Sequence, residues 1–273
     1  MTRKGGSLLG WLRQHELTSR VASALALALL ALGATFWGGI AFALFWAAAS
    51  VFFLAEFLMM TGYRPLVPAI AVGGLGLAAS ALLLEMHWLS LSLGLVGAAA
   101  LALVPISAAG VPRHLGPAGL LYAALVVLPS VAIRSEPAHG VSAMLWLYAV
   151  VWATDIGAYF VGRGLGGPKL WPRISPNKTW SGLIGGTLIG VGTAILADLV
   201  WLALPLSSGA VAAVSAFASL AAHGGDLVES ALKRRYSIKD SSQLIPGHGG
   251  FMDRLDGFAC ASIVIALAFR LAV

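Results

Sequence analysis

The stretch from residue 21 to residue 60 carries a single charged side chain, Glu56, and one glycine pair, Gly38-Gly39. About 20 apolar residues suffice to cross the roughly 30 Å hydrocarbon core of a bilayer. A run of this length exceeds one crossing, so it predicts two helices, over 21–37 and 38–59, with a tight hairpin at the glycines. Seven further apolar segments follow at 65–84, 88–107, 116–133, 141–161, 180–203, 209–230 and 254–272. The expectation is an all-α, polytopic integral membrane protein of about nine transmembrane helices.

Composition closes the other routes. Charged residues make up 10% of the chain, hydrophobic residues 59%, and the mean hydropathy is +0.90. A soluble domain carries about 25% charged residues to keep its surface wet. Disorder and a collagen repeat are excluded by the same figures, and a disulfide scaffold by the single cysteine, Cys260. The net charge of +6 does not point to nucleic acid, because the basic residues sit in short gaps between apolar runs. With the amino end in the cytosol, all of the 17 basic residues except Arg134 and Arg270 fall on the inside. The division by content is then a cytosolic segment over 1–20, a hydrophobic scaffold over 21–140 and a catalytic region over 141–273 with two cytosolic polar loops.

The first polar loop follows the sixth span. Thr154-Asp155-Ile156-Gly157-Ala158-Tyr159 leads into KLWPRISPNKTWSG from Lys169 to Gly182. Pro168, Pro172 and Pro176 exclude a continuous helix. Ser175, Asn177, Lys178 and Thr179 then stand just before a helix start, where free backbone N–H groups suit phosphate oxygens. A basic loop that only orients the helices would look much the same. Residues 162–167 also fit G-x-G-x-x-G, but no strand and no βαβ unit surround them, so they are read as a turn.

The second loop carries more chemistry. Asp226 and Glu229 are spaced i, i+3 and share one face of a helix; Asp253 and Asp256 repeat the spacing at the start of the last span. Two acidic pairs at the edge of apolar helices repel strongly unless a cation stands among them. That cation is either a Lys or Arg, giving a juxtamembrane salt-bridge cluster, or a metal ion held by oxygen ligands. Between the pairs lie Lys233, Arg234, Arg235, Lys239 and the turn Gly247-His248-Gly249-Gly250. Carboxylates, phosphate-binding cations and glycines together suit nucleotidyl or phosphoryl transfer. His248 reads as a phosphate donor or a turn residue. His223 reads as an interior histidine or a site residue, and Glu56 and Asp198 as buried hydrogen-bonding or snorkelling groups.

From Ser230 to Asp256 the chain resembles the signature of the phosphatidate cytidylyltransferases, or CDP-diacylglycerol synthases, without departure. The resemblance runs through Leu232-Lys233-Arg234, Lys239-Asp240, Ser242, Ile245-Pro246, His248-Gly249-Gly250-Phe251 and Asp253-Arg254-Leu255-Asp256. The first loop is similar to the same family through Asp155, Gly157, Tyr159, Lys169, Pro172, Ser175, Pro176, Lys178, Thr179 and Gly182. Ser181 stands where many relatives carry Glu or Gln, and no role is assigned to it. The likeness covers residues 150–260.

The resemblance implies a membrane enzyme, dimeric as a homodimer, that converts CTP and phosphatidate to CDP-diacylglycerol and pyrophosphate in phospholipid biosynthesis. It implies Mg²⁺ as cofactor and allows K⁺ as a second cation. The motif gives Asp226 and Asp253 as acidic metal-binding positions, with Lys233 and Asp256 as further site residues. On this reading Asp226, Asp253 and Asp256 hold the metal, and Lys233 joins them as the catalytic group. Asp155, Ser175, Lys178, Arg234, Lys239 and His248 bind substrate. The site would face the cytoplasm in the cell (inner) membrane. Two other readings use the same residues: a related CTP-dependent enzyme acting on an isoprenoid lipid, which assays with both lipids separate, and a transporter of a phosphorylated solute, which flux in vesicles would reveal.

Overall fold

The computed structural model of the protein describes residues 5–246 and 249–272. The chain is built of long helices: α1 (Gly5–Trp37), α2 (Gly39–Met60), α3 (Leu66–Glu85), α4 (Leu89–Ile106), α5 (Leu115–Arg134), α6 (Gly140–Leu165), α7 (Trp180–Ala197), α8 (Ser208–Arg235) and α9 (Met252–Ala272). Among the described residues, seven helices are long and apolar enough to cross a membrane, α2 to α6, α8, and α7 with its π-helical extension Asp198–Leu202. In α1 the apolar part, Val21–Trp37, is shorter, and the helix reaches back to Gly5 through the expected amino-terminal segment.

The expected break in the long apolar run lies at the glycine pair. Gly38 and Gly39 adopt φ of 72° and 57°, a region costly for any residue with a Cβ. A side chain at Gly38 would also run into the guanidinium of Arg134, which reaches over from α5 to donate to the Thr35 carbonyl at 2.6 Å. Asp198 closes the end of α7, its Oδ1 accepting the Leu204 N–H at 2.8 Å.

Helices α2 to α5 pack around Phe42, Phe53, Leu54, Leu77, Leu103 and Leu120, all fully buried. Helices α6, α7 and α8 pack closer still. Gly182, Gly186 and Gly190 form a small-residue stripe on α7, and a Cβ at Gly186 would lie 2.7 Å from the Thr154 carbonyl of α6. Thr154 and Ser219 share a hydrogen bond of 2.7 Å across the same seam, tying α6 to α8. Helix α9 touches α2, α5, α6 and α8, so it joins the two groups.

The proline-rich segment before α7 is not simply irregular. Lys169–Trp171 (β1) and Ser175–Thr179 (β2) pair antiparallel, Lys169 opposite Thr179 and Trp171 opposite Ser175. Thr179 then caps α7, its Oγ1 accepting the Gly182 N–H at 3.1 Å. Ser181 donates to the Gly166 carbonyl and pins the end of α6 to the start of α7.

Candidate active site

The site is set by where α8 and α9 cross. A Cβ at Gly225 would strike the Asp256 carbonyl, and one at Gly257 would lie 3.1 Å from the Ala222 carbonyl. At Gly225 only glycine permits this approach, at Gly257 a Cβ would be tight, and each glycine stands beside an acid. The helices run in opposite directions, so the deeper acid of one meets the deeper acid of the other. Asp226 faces Asp256 within hydrogen-bonding reach, and Glu229 faces Asp253. The i, i+3 pairs seen in the sequence are re-paired across the helix interface.

The two rungs are neutralised differently. At the outer rung, the Lys233 ammonium lies 2.7 Å from Glu229 Oε2 and 2.6 Å from Asp253 Oδ1. Asp253 Oδ2 accepts the Ser241 N–H at 2.9 Å, the Ser241 hydroxyl at 2.8 Å and the Gly250 N–H at 2.8 Å. Asp253 therefore has both oxygens engaged, Oδ1 by Lys233 of α8 and Oδ2 by the loop before α9. At the inner rung, Lys178 from the end of β2 pairs with Asp226. Asp256 is 5% exposed and its Oδ1 accepts the Gly257 N–H at 2.8 Å. Glu229 Oε1 and His223 Nε2 are buried with no hydrogen-bond partner among the described residues.

A cavity of about 1280 Å³ opens onto the inner rung. Its polar end is lined by Asp155, Lys178, His223, Asp226, Asp253 and Asp256, and its apolar end by Leu25 of α1, Phe45 and Trp46 of α2, Tyr148 and Trp152 of α6, and Phe258 of α9. Trp46 stacks on Phe258 with ring centroids 4.6 Å apart, and Tyr148 on Trp152 at 5.3 Å. One space thus has both charged and aromatic residues in its lining.

Of the residues expected at the site, Asp155, Lys178, Asp226, Asp253 and Asp256 line this cavity. Lys233 stands behind them, held by the outer rung. Ser175, Arg234 and Lys239 are not among the lining residues; Arg234 donates to the Ile174 carbonyl at 3.4 Å and so clasps the hairpin. His248 lies outside the described residues. Sequence reasoning did not assign Glu56 to the region: it is fully buried and bonded to the loop before α9. Its signal was its isolation, since a lone carboxylate in an apolar run requires partners elsewhere in the chain.

The donor set suits a hard cation. Asp226 and Asp256 bring carboxylate oxygens together, the ligands Mg²⁺ prefers, with the imidazole of His223 on the same cavity. Among the described residues no group of three His, Cys, Asp or Glu side chains is spaced to hold a metal ion as the chain stands. Lys178 and Lys233 supply the positive charge instead.

Fold and cavity together define a polytopic membrane protein with an acid-and-lysine centre that opens into an apolar chamber, suited to a reactant with a charged head and a greasy body. The cytidylyltransferase family model matches residues 18–272, and the chain belongs to that family. It is 39% identical over 255 residues to the phosphatidate cytidylyltransferase of Brucella suis, an alignment covering 92% of this chain and 93% of that protein. The enzyme of the same name from Bacillus subtilis is 46% identical over 128 residues, 47% of each chain. That of Haemophilus influenzae is 39% identical over 161 residues, 52% of this chain and 54% of the other.

Proposed function

We propose that the protein transfers a cytidylyl group from CTP to phosphatidate, giving CDP-diacylglycerol and pyrophosphate in phospholipid synthesis. The observation that carries this reading is the single cavity joining Lys178, Asp226 and Asp256 to the aromatic wall of Trp46, Trp152 and Phe258. A lipid phosphate can lie with its chains against that wall while its head meets the nucleotide at the acids.

A phosphatidate oxygen attacks the α-phosphorus of CTP. A new P–O bond forms as the bond to the β-phosphate bridging oxygen breaks, and the electron pair leaves with pyrophosphate. Since the attacking phosphate is already ionised, no general base is required. Lys178, at the cavity wall, offers an ammonium to phosphate oxygens. Lys233 keeps Glu229 and Asp253 neutralised and in place. Asp226 and Asp256 would hold Mg²⁺, with Asp253 as the third acid and K⁺ as a candidate second cation. The divalent ion would supply charge stabilisation at the phosphates. Asp155 and His223 border the same space and complete its polar lining.

The same reading places the enzyme in the cell (inner) membrane with nine crossings, its amino end and site at the cytoplasmic side, acting as a homodimer. The test is direct: purified protein with CTP, phosphatidate and Mg²⁺ should yield CDP-diacylglycerol and pyrophosphate. No product with phosphatidate, but product with an isoprenoid phosphate, would reject the lipid assignment.

A further inference from the structure

Glu56 belongs to α2, far in sequence from every group above, yet its carboxylate is the anchor of the loop that carries Asp253. Oε1 accepts the Ser242 hydroxyl at 2.6 Å and the Phe251 N–H at 3.0 Å. Oε2 accepts the Met252 N–H at 2.7 Å and the Ser241 hydroxyl at 3.1 Å. The two N–H groups open α9, and an anion at that end also meets the favourable pole of the helix dipole. Glu56 thus caps a helix to which it is not joined. One turn earlier on α2, Phe52 stacks on Phe251 at 4.9 Å and seats the same loop.

Backbone N–H groups can only donate, and one points at each oxygen of Glu56. Both oxygens must therefore accept, which an ionised carboxylate does and an amide cannot. The Ser241 hydroxyl, moreover, stands between Glu56 Oε2 and Asp253 Oδ2, with one proton for two acceptors. Gly250 completes the fit: any Cβ there would collide with Ser241 Oγ and the Glu56 carboxylate.

We infer that Glu56 is a positioning residue for the transfer reaction, holding Ser241, Ser242, Phe251 and Met252 in place and, through Ser241, the orientation of Asp253 toward the cavity. This rests on the proposed cytidylyl transfer, but its physical core, the loop clamp, is measurable without turnover. Glu56→Gln keeps size and removes one acceptor. In the full-length protein it should lower kcat about 30-fold or more while KM for CTP moves less than about threefold. Amide exchange over residues 241–252, measured with neither substrate nor metal, should quicken at least about tenfold and leave α2 to α5 unchanged. Combined with Ser241→Ala, the loss should fall well short of the product of the single losses, since both act through one loop. Should Glu56→Gln not fold, Ser242→Ala removes one donor and should give the same local exchange with a several-fold loss in kcat.

Unchanged kcat, or exchange that rises evenly through the protein, would overturn the inference. So would losses that multiply in the double variant. A parent protein that makes no CDP-diacylglycerol refutes the transfer reading alone, and the exchange result still decides the clamp.

Discussion

The two halves of the molecule differ in where they gather charge. In α2 to α5, buried hydroxyls mostly spend themselves on carbonyls nearby: Ser92 on Ser80 at 2.8 Å, Ser130 on Val126 at 2.7 Å, Thr61 on Phe57 at 2.8 Å, and Tyr63 on Leu103. Between α6 and α9, acids face acids and lysines bridge them. The first arrangement gathers little charge, although Trp46, Ser50, Ser80, Glu85 and Tyr122 each keep a buried polar atom without a partner among the described residues. In the second, charges are gathered where the bilayer makes them expensive, and that expense is justified only by the chemistry it enables.

The contrast breaks first at the acids. Asp226→Asn and Asp253→Asn should each insert normally and lose roughly 10³-fold in CDP-diacylglycerol formation, the loss of several kcal/mol of charge stabilisation; near-normal turnover would remove these acids from the reaction. A finer comparison sets two glycines against each other. Gly225 and Gly119 are both too crowded for a Cβ, against the Asp256 carbonyl and the Phe57 ring respectively. Substitution by Ala should cost each about 1–3 kcal/mol of stability, read by thermal unfolding. Only Gly225→Ala should also lower turnover per folded molecule, by about 10²-fold, because it separates Asp226 from Asp256. Next, Lys178→Met should raise KM for CTP about tenfold with a smaller change in kcat. The smallest effect is expected from Tyr63→Phe, about 1 kcal/mol of stability and no change in kcat; altered kinetics there would blur the line between the halves.

The apolar segments and the break at Gly38-Gly39 were legible in the sequence, because bilayer thickness imposes a length on each helix and glycine is the residue that tolerates the turn. The β1–β2 hairpin was legible only as the absence of helix: proline spacing excludes a helix but does not say that Trp171 will pair with Ser175. For the site, the residues were readable and their partners were not. Spacing i, i+3 puts Asp226 beside Glu229 on one helix, but which acid it faces depends on the antiparallel crossing at Gly225 and Gly257. Lys233 was legible as a site residue beside the acids, but the engagement of its ammonium by Glu229 and Asp253, the latter a contact spanning 20 residues, was not. Glu56 stayed out of the site because its donors lie 185 to 196 residues away.

That distance has a consequence for how the chain is made. Helix α2 leaves the ribosome long before Ser241 exists; at 5–20 residues per second, the 185 intervening residues take roughly 10–40 s. Throughout that interval the donors that the carboxylate meets in the folded protein, Ser241, Ser242, Phe251 and Met252, have not yet been made. Synthesis that stops short of the final helix leaves an unsheltered anion in a greasy segment, a ready mark by which quality control can tell an unfinished chain from a complete one.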